Sequence, residues 1–125
     1  MGDRLPECPV AVCVQMIGSK WKLLIIRNLL ARPWRFNELL RGLEGISRKV
    51  LTESLRSMER DGIVERIDLS QRVPHVEYRL TAMGRSLRPI LMQMQEWGAG
   101  YAAGRLREER ANGNAGNDEN EALDP

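Results

Sequence analysis

The chain has 125 residues, 42% of them hydrophobic and 29% charged, with a formal net charge of +2. That length suits one domain built on one modest core. Lys20 and Lys22 interrupt the longest apolar run, which falls short of the ~18 residues of a membrane span. The opening MGDRLPECPVAVC lacks the basic-then-apolar layout of a signal peptide, so a cytoplasmic protein with no membrane partner is expected.

Pro6-Glu7-Cys8-Pro9 opens a first helix that runs to about Ile17. Pro9 fits the first helical position, which makes Cys8 the cap residue. Gly18-Ser19 ends that helix, and a second follows as WKLLIIRNLLAR, with Trp21, Leu24, Ile25 and Leu29 mostly buried. Arg32-Pro33 stops it, because the residue before a proline avoids the α region. Trp34-Arg35-Phe36 is short and extended enough to pair with a later strand.

From Phe36 to Gly62 the pattern is a short helix, a tight turn and a longer helix. Asn37 is the candidate cap of the short helix, with Glu38 in its first turn. Leu39, Leu40 and Leu43 give it an apolar side, Gly45 breaks it, and Ser47 caps the next helix. There Val50, Leu51, Leu55 and Met58 recur at helical spacing toward a core. The opposite side carries Arg48, Lys49, Thr52, Glu53 and Arg56. One apolar face and one face of forked and hydrogen-bonding side chains is what a helix needs to lie in a DNA major groove. Most charged helix faces are only solvated, so the neighbouring elements carry weight. Ile63 to Ile67 and Val76 to Leu80 alternate like strands around a turn at Ser70 to Pro74. A hairpin directly after a recognition-type helix predicts a winged helix–turn–helix, mainly α with a small β-hairpin. Arg48, Lys49 and Thr52 are expected at base edges. Ser47, Arg56 and Arg72 are expected on phosphates, with Gln71 and His75 as further wing contacts.

Thr81 is expected to cap one long last helix, kinked at Pro89 by the loss of a backbone hydrogen bond. Met83, Leu87, Ile90, Leu91, Met94, Trp97 and Tyr101 form a stripe along it. The helix is long for so small a core, so Leu87, Leu91, Met94, Trp97 and Tyr101 are assigned to a homodimer interface. The tail from about Arg110 is rich in Gly and Asn and acidic, and is expected to be disordered. The domain organisation is then an arm over residues 1–7, the winged helix–turn–helix over 8–109, and the tail over 110–125. Asp118, Glu119, Glu121 and Asp124 lie in that tail without a Lys or Arg beside them. They leave 19 basic against 13 acidic residues before them, a balance that suits a polyanion partner.

His75 is the one histidine, and no G-x-S-x-G, phosphate-binding glycine loop or H-E-x-x-H is present. Cys8, Cys13 and His75 are too few for a tetrahedral zinc site in one chain. No enzymatic activity, cofactor or metal is expected, and two cysteines do not suggest a disulfide framework. Cys8 stands at a helix N-terminus, whose unpaired N–H groups suit a thiolate, with Arg4 near in sequence. Oxidants and electrophiles attack the thiolate. Cys13, flanked by Val12 and Val14, is assigned to packing.

The segments CPV at Cys8, IGSKWKLLIIRNLL, RFNELLRGLEGISRKVLTESLRSMERDGIVER and VPHVEYRLTAMGRSL resemble the HxlR family of winged helix–turn–helix transcriptional regulators. The likeness runs from about Cys8 to Gly98, in several blocks in the family's order. At the wing tip VPHVEY is one residue shorter than the family pattern. The resemblance implies a homodimer on a pseudo-palindromic operator of double-stranded DNA, with a terminal-helix interface completed by the first helix. It also implies, in some members, sensing of an oxidant or a small reactive electrophile through an N-terminal cysteine, here Cys8. The competing reading is a winged-helix protein-interaction module without specific DNA binding. Such modules often carry an acidic or apolar outer face, whereas this one keeps Arg48, Lys49, Thr52 and Arg56.

Overall fold

A computed structural model describes residues 4–114. The element order is α1 (Pro9–Ile17), α2 (Lys20–Ala31), α3 (Phe36–Gly42), α4 (Arg48–Arg60), β1 (Val64–Asp68), β2 (Val76–Leu80), α5 (Ala82–Arg85) and α6 (Arg88–Asn114). The chain forms two compact units, Met1–Arg88 and the remainder from Pro89.

In the first unit the core gathers Ile25, Ile26 and Leu29 of α2, Leu39 of α3, Leu51, Leu55 and Met58 of α4, and Val64 and Leu80 of the hairpin. Leu43 and Ile46 close it from the α3–α4 turn, where Gly45 takes a φ of +94 that favours glycine. Ser47 Oγ accepts from the Val50 N–H at 3.0 Å, so the expected cap of α4 forms, and Ser19 Oγ caps α2 in the same way, accepting from the Lys22 N–H at 3.1 Å. Gly62, at φ +80, turns the chain out of α4.

Two helix starts differ from expectation. At α3 the cap residue is Arg35, and Asn37 lies inside the first turn. The Glu38 carboxylate accepts from the Arg35 N–H at 2.9 Å, the third helical residue reaching back to the backbone donor of the cap residue, so the helix starts at Phe36, earlier than a cap at Asn37 would place it. That N–H, and after it the Arg32 guanidinium at 3.3 Å, hold the Glu38 carboxyl below its ordinary range. Thr81 does cap a helix, accepting from the Gly84 N–H at 3.0 Å, but α5 ends at Arg85. The expected single kinked helix is therefore two helices parted at Ser86-Leu87. Pro89 stands in the first turn of α6, where a missing N–H leaves no intrahelical bond unmade.

The hairpin is antiparallel, with Val64 opposite Leu80, Arg66 opposite Tyr78 and Asp68 opposite Val76. Trp34 adds a single bridge: its N–H donates to the Tyr78 carbonyl at 3.0 Å, and the Tyr78 N–H returns to the Trp34 carbonyl at 2.8 Å. The expected pairing of the 34–36 segment with the wing thus shrinks to one residue, because Phe36 already starts α3.

The described part of the second unit lies in α6, a helix of 27 residues that starts at Arg88 and is about 40 Å long at 1.5 Å per residue. It reaches Asn114 and so continues past the expected tail boundary at Arg110; residues 115–125 lie outside the described residues. No single helix among the described residues is long and apolar enough to cross a membrane.

Candidate nucleic-acid interface

The two sides of α4 separate cleanly. Leu51, Ser54, Leu55 and Met58 are buried, while Arg48, Lys49, Glu53 and Arg56 are exposed. This follows from the 3.6-residue repeat, which stacks positions 48, 52 and 56 on one side and 51, 55 and 58 on the other. Ser47 spends its hydroxyl oxygen on the cap, leaving its O–H to donate outward. The Arg48 guanidinium lies over the Phe36 ring, 5.5 Å from its centre, which ties the first exposed fork of α4 to the start of α3. Behind α4, Lys22 Nζ donates to Ser57 Oγ at 2.8 Å and fixes the helix against α2.

Gln71 and Arg72 are exposed at the wing tip, as expected. The tip is closed by three bonds. The Leu69 N–H donates to the His75 carbonyl at 2.7 Å, the His75 N–H to Ser70 Oγ at 2.8 Å, and the Ser70 N–H to Asp68 Oδ1 at 2.9 Å. The Ser70 hydroxyl, then its N–H, hold the Asp68 carboxyl below its ordinary range. His75 is half-buried with its ring nitrogen 3.0 Å from Glu77, so its side chain already has a partner on its own strand. The base of the tip is anchored by Arg35, whose guanidinium donates to the Pro74 carbonyl at 3.2 Å.

Between α4 and the hairpin lies an open groove of about 400 Å³, lined by Phe36, Thr52, Leu55, Arg56, Glu59, Arg66 and Tyr78. Thr52 and Arg56 were expected at this surface; Phe36, Arg66 and Tyr78 were not assigned to it. The signal for the last two is the hairpin register. Val64 and Leu80 are buried, so Arg66 and Tyr78, two residues along from each, share the core-facing side of the strands.

Cys8 occupies the cap position of α1 and is exposed, its backbone carbonyl accepting from the Val12 N–H at 3.1 Å. Cys13 is exposed as well, which corrects its assignment to packing: Ile17 is the one buried residue of α1, and Val14 beside Cys13 is 62% exposed. Both thiols are free. The proposed interface positions on α6 differ among themselves. Leu87, just before it, and Leu91 are half-buried, Met94 is exposed, and Trp97 and Tyr101 are 73% and 55% exposed. Their two rings stack at 5.7 Å, nearly parallel. Among the described residues no cluster of three or more His, Cys, Asp or Glu could hold a metal ion.

Two core-packed helices joined by a tight turn, followed by a hairpin, define a winged helix–turn–helix protein. Residues 16–105 match the HxlR-like helix-turn-helix family, and the chain belongs to it, among transcriptional regulators. It is 45% identical over 91 residues to the uncharacterized HTH-type transcriptional regulator YybR of Bacillus subtilis strain 168, covering 73% of each chain. Among solved structures it is similar to the redox regulator HypR in its reduced form, at 43% identity and a TM-score of 0.71, over 74% of this chain and 92% of that one. The reduced form of the transcriptional regulator YodB from B. subtilis is 35% identical with a TM-score of 0.66, over 74% of this chain and 91% of that one.

Proposed function

We propose that this regulator binds double-stranded DNA as a homodimer, on a pseudo-palindromic operator whose half-sites lie about one helical turn, roughly 10 bp, apart. The observation that carries the reading is the outer face of α4. It offers two guanidinium forks, an ammonium and a hydroxyl while the same helix is held rigid from behind by its buried face and by Lys22. Forks at Arg48 and a donor at Lys49 suit guanine edges, and Thr52 suits several bases. Ser47, Arg56, Gln71 and Arg72 serve the backbone.

Dimerisation through α6 is supported by what that helix lacks. Most helical stability in proteins comes from packing an apolar face, and Gly98, Gly100 and Gly104 each weaken this helix by about 0.5–1 kcal/mol relative to alanine. It nonetheless carries Met94, Trp97 and Tyr101 uncovered, and a second copy would bury them. The effector is an oxidant or small electrophile acting at Cys8. Support comes from the exposed thiol at a helix start and from the likeness to a protein described as a redox regulator.

A gel-retardation experiment with the protein's own genomic fragments tests the DNA reading. Some fragment should survive excess bulk DNA, and affinity should fall steeply with salt as neutralised phosphates release counterions. If no fragment outcompetes bulk DNA, the winged-helix interaction module takes its place.

A further inference from the structure

The groove between α4 and the hairpin contains two guanidiniums, those of Arg56 and Arg66, both exposed. Among the described residues neither makes an ion pair or a side-chain hydrogen bond, although Glu59 lines the same groove. Asp68 lies two residues from Arg66 along the same strand face and feels its charge, but spends its oxygen on Ser70. An arginine on the core-facing side of a strand ordinarily finds an acid or turns to water. Among the described residues Arg66 has no ion-paired acid and, while open to solvent, it lines a recess together with Phe36, Leu55 and the Tyr78 ring. The acids that face the groove number one against two cations, so it keeps a net positive charge.

The position of the groove suggests its occupant. A recognition helix enters the major groove, and on the proposed DNA-binding reading the wing beside it, with Gln71 and Arg72 exposed at its tip, reaches across the backbone toward the flanking minor groove. The ridge that separates a major from a minor groove is one sugar–phosphate strand, so that strand must pass between the two elements. We propose that the α4–hairpin groove seats one deoxyribose phosphate of the duplex backbone, with Arg66 and Arg56 on the phosphate oxygens and the Phe36 and Tyr78 rings against the sugar. This rests on the DNA-binding reading above and adds Arg66 and Tyr78 to its contacts. Such a seat fixes the register of the protein on the duplex and carries no base preference.

The test is the salt dependence of binding to a mixed-sequence duplex of about 30 bp, for the full chain and three variants. Arg66→Gln should weaken binding several-fold and make the slope of log affinity against log salt shallower by about 1, the share of one phosphate contact. Arg66→Lys, which keeps the charge, should restore the slope. Arg79→Gln, on the opposite strand face and paired with Glu65 at 2.9 Å, should leave it at the wild-type value. A wild type that binds duplex while Arg66→Gln shows the same slope overturns the seat and leaves DNA binding standing. A shallower slope in Arg66→Lys or in Arg79→Gln also overturns it, because the change then comes from a disturbed hairpin. A wild type that binds no duplex overturns both readings together.

Discussion

The Arg35 guanidinium donates to the Pro74 carbonyl at 3.2 Å, joining two residues 39 positions apart. It links the residue that caps α3 to the base of the wing tip. Removing it by Arg35→Ala takes away about 1 kcal/mol of local stabilisation. Amide exchange at Leu69 and His75 should quicken while Val64 and Leu80 keep their protection, and duplex affinity should fall up to about fivefold. Unchanged exchange at Leu69 would show that the tip holds itself.

Base-facing and backbone-facing roles predict different signatures. Arg48→Ala should cost roughly 1–3 kcal/mol on the operator and relax preference at one base pair. Arg72→Ala should weaken every sequence by a similar factor. Swapped signatures would exchange the two assignments.

Trp97 is a sharper probe of the dimer than Leu91. Leu91 is half-buried before any partner is added, so a charge there would report on more than the interface, whereas Trp97 is uncovered. Trp97→Glu should give a folded monomer by sedimentation at micromolar concentration. Its operator affinity should drop by about 10²-fold or more, since linked half-sites gain that much by effective concentration. A wild type that sediments as a monomer would remove the assigned interface.

Both thiols are exposed, so the two cysteine variants make a fair pair. After diamide or a quinone, operator binding by wild type and Cys13→Ser should change several-fold or be lost, and binding by Cys8→Ser should not. Equal responses from wild type and Cys8→Ser would leave Cys8 without a sensing role. A disulfide, if one forms, should link two subunits, because the five-residue step from Cys8 to Cys13 carries them well around the helix cylinder.

Gly84 is required by space rather than by backbone angle. A Cβ there would stand 2.2 Å from the Ile63 carbonyl oxygen. Gly84→Ala should therefore cost about 1–3 kcal/mol and lower Tm by roughly 4–8 °C per kcal/mol. A melting curve that matches wild type would mean that α5 shifts away from the strand at no cost.

The α3–turn–α4 core of the fold was legible because local signals agreed there. Gly45 and Gly62 take positive φ, Ser47 caps, and Leu51, Leu55 and Met58 repeat at helical spacing. The failures were positions decided by distant contacts. The apolar stripe runs unbroken from Met83 to Leu91, so periodicity alone carries one helix through Ser86-Leu87, where the chain breaks it. Arg66 was hidden by register. Ile63 and Val64 are both buried, the first because its N–H ends α4 on the Met58 carbonyl at 2.9 Å, so two alternations fit the same residues. Cys13 looks like a packing residue beside Val12 and Val14, and only the placement of α1 on the unit leaves it in water.

The clean division of α4 has a bearing on how such a protein changes over generations. Apart from Arg48, which also leans on the Phe36 ring, the outer residues Lys49, Glu53 and Arg56 are exposed, and substitutions at exposed positions of this kind usually shift stability by no more than about 0.5 kcal/mol. The outward alphabet of one 13-residue helix can then be rewritten letter by letter without a detour through unfolded intermediates. Duplicated copies of the gene are free to drift toward new targets on the same scaffold, and a designer could graft a different outer face in one step.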